Sequence, residues 1–153
     1  MVLVISVSCR SRISPTNHEN WVRHHVDVGD RSIAIRLPAS VDQQSSVSDD
    51  SEVRFLFDPP DSRSIRSLTL FSPDPTQSDD LPHSIILDSG VTLRYRIVQS
   101  QSVGSGGPEA HLAGILDSHN GVSIGVRCDD QDEWHPNPLW CLPFLHLLEF
   151  SPD

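Results

Sequence analysis

Breakers interrupt this chain so often that no long regular element has room to form. Twelve prolines and repeated Ser-Asp clusters divide it into short apolar runs. Proline fixes φ and lacks a backbone donor, so it stops helix interiors and central strands alike. Short runs between such breakers, alternating apolar with polar residues, carry the period of a half-buried strand. The expectation is strands and loops, and 153 residues suffice for one domain with one core.

Trp21 opens the first such pattern. Val22, His24, Val26 and Val28 alternate with Arg23, His25 and Asp27; Gly29-Asp30 turns the chain, and Ile33, Ile35 and Leu37 alternate up to Pro38. This predicts a hairpin. Residues 40–52 are polar and of low complexity, and read as an exposed loop or a short helix packed through Val41 and Val47. Val53–Phe57 and Ile65–Phe71 read as strands bounded by Pro-Asp turn chemistry, with an acidic loop over 72–82. Ser84–Leu87 is a short strand. In Val91–Val98, residues Val91, Leu93, Tyr95 and Ile97 face inward, and Arg94 and Arg96 outward.

Ala110–Leu116 reads as strand, because Gly114 weakens a helix interior and Asn120-Gly121 asks for a paired partner in Val122–Arg127. The terminal Leu139–Leu148 is too apolar to lie exposed. A helix with Pro143 in its first turn would set Leu142, Leu145 and Leu148 against the sheet. The fold class expected is α+β: a strand-dominated single domain, a twisted and mostly antiparallel sheet with a C-terminal helix packed on it.

Two cysteines bracket an acidic run, Asp129-Asp130-Gln131-Asp132-Glu133, followed by Trp134. The last strand is expected to end at Cys128 and the final segment to begin near Cys141. A Cys128–Cys141 bridge would close about thirteen residues, a stabilisation on the order of 3 kcal/mol, provided the compartment is oxidising. The alternative is two unrelated buried thiols. The run itself is either a solvated turn or a negative plug, built from Asp129, Asp130, Asp132 and Glu133, for a basic or metal-containing groove. Gly104-Ser105-Gly106-Gly107-Pro108-Glu109 has a similar pair of readings. It is a flexible hairpin connection, or a close-approach surface where glycines let Glu109 enter a partner's cleft. Trp134 and Ser105 are the uncharged contacts expected beside it.

Eleven arginines, with no lysine, stand against twenty-one acidic residues, for a net charge of −10. Nucleic acid and anionic surfaces would have to overcome repulsion. An enzyme would need an activated group. Cys141 and His146 are five apart, off a common helical face. The acidic run lacks the glycine and closing glutamate of a calcium loop, and Cys128, His135 and Cys141 fit no standard zinc spacing. His24 and His25 point to opposite faces of a strand. Gly104–Glu109 lacks the lysine and helix start of a phosphate loop. The expectation is a binding protein without catalytic residues, cofactor or metal.

Met1–Cys9 is an apolar run ending in Ser6-Val7-Ser8-Cys9, with no basic leader. It is too short to span a bilayer. It reads either as the end of an export signal with Cys9 lipidated, or as a first strand with a buried cysteine. If Cys9 is consumed by processing, Cys128 and Cys141 remain as an even pair.

The order of pieces resembles a known family. An early Trp21 leads into a hairpin ending Leu37-Pro38. Leu93-Arg94-Tyr95-Arg96 leads to the glycine loop, a hairpin and Val126-Arg127-Cys128-Asp129-Asp130-Gln131-Asp132-Glu133, closed by Trp140-Cys141-Leu142-Pro143. Over roughly residues 20–150 this resembles the small periplasmic immunity proteins that bacteria pair with type VI secretion effectors, in particular those protecting against peptidoglycan-cleaving effectors. Some of those share a fold similar to Mog1 and PsbP, a central antiparallel sheet flanked by helices. The resemblance implies a cognate secreted effector as partner, a periplasmic location with a possible membrane tether through Cys9, and inhibition by occluding the effector's groove. It divides the chain into a leader over 1–15 and an immunity-like domain over 16–153. The alternative function is an envelope lipoprotein with a structural or small-ligand-binding role.

Overall fold

The computed structural model describes residues 20–45, 51–57, 64–74, 80–100, 109–132 and 136–151. Ten strands and one helical turn follow in order: β1 Trp21–Val28, β2 Arg31–Pro38, β3 Asp42–Ser45, β4 Glu52–Phe57, β5 Ser64–Phe71, β6 His83–Ile86, β7 Thr92–Ser100, β8 Glu109–Asp117, β9 Ser123–Asp132, α1 Leu142–Leu145 and β10 Glu149–Phe150. All pairings are antiparallel. The strands divide between two sheets: β1-β2-β10, and a seven-stranded sheet in the order β3-β4-β5-β9-β8-β7-β6.

The alternating residues explain how the sheets meet. Val26, Val28, Ile33, Ile35 and Leu37 of the hairpin join Phe55, Leu68, Leu70, Leu93, Leu112, Leu116, Ile124 and Val126 of the large sheet in one buried cluster. Each such side chain taken out of water contributes about 1.5–3 kcal/mol, so this shared interior holds the two sheets as one unit. The α+β, strand-dominated single domain read from the sequence is the fold.

Several local readings change. Residues 42–45, expected as loop or helix, form the edge strand β3 on β4. An edge strand needs one partner only, and polar Asp42, Gln43 and Gln44 are suited to a rim that must not recruit another chain. The C-terminal helix is a single turn. After it the amides of Leu147 and Leu148 bond three residues back, to Phe144 and Leu145, and the chain tightens out of the α-helix. It then adds β10 to the hairpin, Phe150 opposite Ile33, a strand too short to show a period. Leu145 and Leu148 are buried as expected, and Leu142 is half-buried. Val91, just before β7, and Leu93 on it face the core, whereas Ile97 is exposed, since β6 stops at the His83–Tyr95 pair and leaves it uncovered.

Candidate functional site

The strand register brings the two singled-out stretches to one end of the large sheet. Ser100 pairs with Glu109, Ala110 with Asp130 and Ser64 with Asp132. Ser100, Glu109 and Asp132 therefore close β7, β8 and β9 at one end of the sheet. At this end Cys128 of β9 is bonded to Cys141, the residue capping α1, with Cα atoms 6.3 Å apart and both side chains fully buried. The bridge ties the last long strand to the turn that closes the core.

The strand does not end at Cys128. It runs on to Asp132, and this changes what the acidic residues are. Side chains on a strand alternate between faces, so neighbouring aspartates point opposite ways. Asp129 faces outward and is held by Arg127, whose Nε and Nη2 lie 3.0 Å from its carboxylate. Its backbone oxygen accepts a bond from Trp140 Nε1 at 3.2 Å. Asp130 faces inward beside the disulfide and is 0% exposed. Its Oδ2 accepts the Asn137 amide at 2.8 Å and lies 3.5 Å from Arg66 Nε, while Oδ1 is buried without a partner. A carboxylate so enclosed cannot serve as a solvent-exposed plug. It fastens the returning segment to the sheet, because a buried charge persists only when paired and hydrogen-bonded.

Glu109 and Asp132 sit on the backbone at the first residue of β8 and the last of β9, not within loops. Ser105, Gly106, Gly107, Glu133 and Trp134, and the candidate lipidation site Cys9, lie outside the described residues, as does His135.

One feature escaped the sequence reading. Trp21 from the start of β1, Phe57 from the end of β4, and Trp140 and Phe144 around α1 form a ring cluster, with Phe57–Trp140 centroids 4.7 Å apart and both Phe57–Phe144 and Trp21–Phe144 at 5.0 Å. Arg66 lies over Trp140 at 5.7 Å. Phe57 pairs with Arg66 and Arg66 with Asp130, so Phe57 stands in the same transverse row as the buried aspartate. The spacing of four between Trp140 and Phe144 was a local signal that they share a helical face. Nothing local pointed to Trp21 or Phe57.

In chemical terms this end is a fixed, disulfide-stapled surface that joins acidic strand termini to a half-buried aromatic cluster. Residues 34–149 match the type six secretion immunity 3 domain, and the chain belongs to that family. No curated protein matches the chain. Among solved structures, a crystal structure from Bacteroides thetaiotaomicron VPI-5482 is similar in fold, with a TM-score of 0.52 at 11% identity. The match covers 79% of this chain and 46% of that one, so this chain spans about half the length of that relative.

Proposed function

We propose that this chain neutralises a peptidoglycan-cleaving effector in the periplasm by setting the stapled end of its large sheet into the effector's active-site groove. The observation that carries the reading is the register. It sets Glu109, Asp129 and Asp132 at one end of the large sheet, and on this reading Ser105, Gly106, Gly107, Glu133 and Trp134 complete the contact. A surface fixed in advance loses less conformational freedom on binding, and the Cys128–Cys141 bridge supplies that fixation. The same bridge supports the location, since disulfides persist in the periplasm, where the cell wall is also reached. Asp130 acts from beneath, by holding the 136–139 segment in place through Asn137.

The test uses the product of the neighbouring gene, which on this reading is the secreted effector. It should digest purified sacculi, and the full chain should stop it at equimolar amounts. Changing Asp129, Asp132 and Glu109 together to the amides should slow association and flatten its salt dependence, with a loss of affinity of about tenfold or more, because rim charges act chiefly through steering. An effector inert on sacculi would refute the cell-wall assignment. Unchanged kinetics in the triple variant, with a native circular dichroism spectrum, would remove the acidic termini from the interface.

A further inference from the structure

We propose that the ring cluster of Trp21, Phe57, Trp140 and Phe144, with Arg66 beside it, is the apolar anchor site of the effector interface, taking a large apolar side chain of the effector next to a hydrogen-bond acceptor for Arg66. The proposal rests on effector binding at this end of the sheet and names a site distinct from the acidic termini.

Three observations converge on it. First, the cluster is where the interior of the molecule reaches the surface: Trp140 is buried, whereas Trp21, Phe57 and Phe144 are half-buried. Beside them on the chain, Val22 is 47% and Leu139 37% exposed. The other exposed large apolar residues among those described, Ile86 and Ile97, belong to β6 and β7 and have no such ring cluster around them. Single exposed residues of that kind are ordinary, whereas apolar residues grouped with aromatics mark interaction sites.

Second, Arg66 is committed to the site yet not satisfied within it. Its guanidinium stacks over Trp140, its side chain is 37% exposed, and its Nε is buried without a hydrogen bond although Asp130 Oδ2 lies 3.5 Å away. The buried Nε is turned to Asp130, so it is the exposed remainder of the guanidinium, held over Trp140, that an acceptor from the partner would meet. Trp and Arg in a partly desolvated cluster are the residue types that carry most of the energy at protein interfaces.

Third, charge selects the occupant. A second copy of a chain with net charge −10 would bring like charge against like, whereas an effector with a basic groove is attracted. Cys141 directly precedes α1, so the disulfide that fixes the acidic strand also fixes Trp140 and Phe144. One rigid unit thus presents both kinds of contact.

The experiment titrates the same effector against the full chain carrying V22D together with L139D, and separately Arg66→Met. Both altered apolar side chains are exposed, so the melting curve should stay native. The expected result is a dissociation constant raised about tenfold or more through faster dissociation, and V22A/L139A, which adds no charge, should leave the salt dependence of association unchanged. If V22D/L139D unfolds, V22A/L139A gives the same readout with a smaller rise. Native affinity in the folded apolar variants and in Arg66→Met would overturn the anchor, whatever the acidic variants do. A rise confined to the acidic variants would leave groove binding standing and refute this site. Light scattering supplies a further outcome. A wild-type dimer that V22D/L139D converts to monomer, with effector affinity unchanged, would assign the cluster to self-association and overturn the proposal.

Discussion

The two ends of the seven-stranded sheet are built on different principles. At one end the strands are joined by tight turns that satisfy themselves. Between β8 and β9 the Ser118 amide bonds to Val122 O and the Gly121 amide to Ser118 O, and between β6 and β7 the Leu87 amide bonds to Val91 O. Gly121 and Gly90 adopt φ of 76° and 85°, which side chains rarely tolerate. Asp117 closes this end by accepting from Arg94 Nε at 2.8 Å and from Ser123 Oγ at 2.6 Å. At the other end the fixing contacts are made between residues distant in sequence: a disulfide, a buried aspartate under an arginine, and rings from three elements. The first end is closed chiefly by its own turns, and the Asp88 amide, which donates to His146 Nδ1 at 3.2 Å, is its tie to the C-terminal segment. The second exists only once the core has assembled, and it is there that binding is proposed.

Removing the long-range staple should therefore produce the largest effect. Replacing Cys128 and Cys141 together by alanine opens a loop whose ends are 13 residues apart, and is expected to cost about 3 kcal/mol in denaturant titration. The same variant should lose effector affinity at its melting-safe temperature, since the anchor and the acidic strand lose their common support. A midpoint unmoved from wild type would show that the bridge adds nothing to the stapled end.

Asp130→Ala comes next. It leaves Arg66 and the Asn137 amide without their buried acceptor, for an expected loss of about 2 kcal/mol. Asp130→Asn keeps an acceptor for Asn137 and should lose less, so hydrogen exchange at Asn137 separates the two variants. If alanine and asparagine behave alike, the bond to Asn137 is not what holds the returning segment.

The smallest effect is expected at the turn-closed end. Gly121→Ala puts a side chain at positive φ, although its Cβ would meet nothing within 4 Å, so backbone strain alone applies, about 1 kcal/mol. Effector affinity should not change. A loss of affinity there would mean that the two ends are coupled, and would break the contrast drawn between them.

The hairpins were legible because their signals are local. Gly29, Gly90 and Asn120-Gly121 stand where the turns are, and alternation in Val26–Val28 and Ile33–Leu37 gave the buried face of the hairpin, whereas in Val91–Ile97 it failed at Ile97. The Cys128–Cys141 bridge was one of two readings of that spacing, and the family resemblance lay in the order of motifs over roughly residues 20–150. The acidic run was read as a loop because polarity alone does not separate a loop from a strand with one wet face. Pairing with β5 and β8 carries β9 four residues past Cys128 and turns Asp130 inward. Likewise, β3 and β10 are strands only because β4 and β2 offer free edges to their polar or very short segments.

What the sequence determined by itself, then, was the strand-rich class, the positions of the tight turns and the membership of the core, since period, proline and glycine act on their own neighbours. Tertiary structure decided which acidic residue is buried, where Trp21 meets Phe144 and why Arg66 lies against Trp140. Those contacts join residues far apart along the chain, and such a contact has no signature in a local pattern because its energy appears only when the intervening chain has already folded.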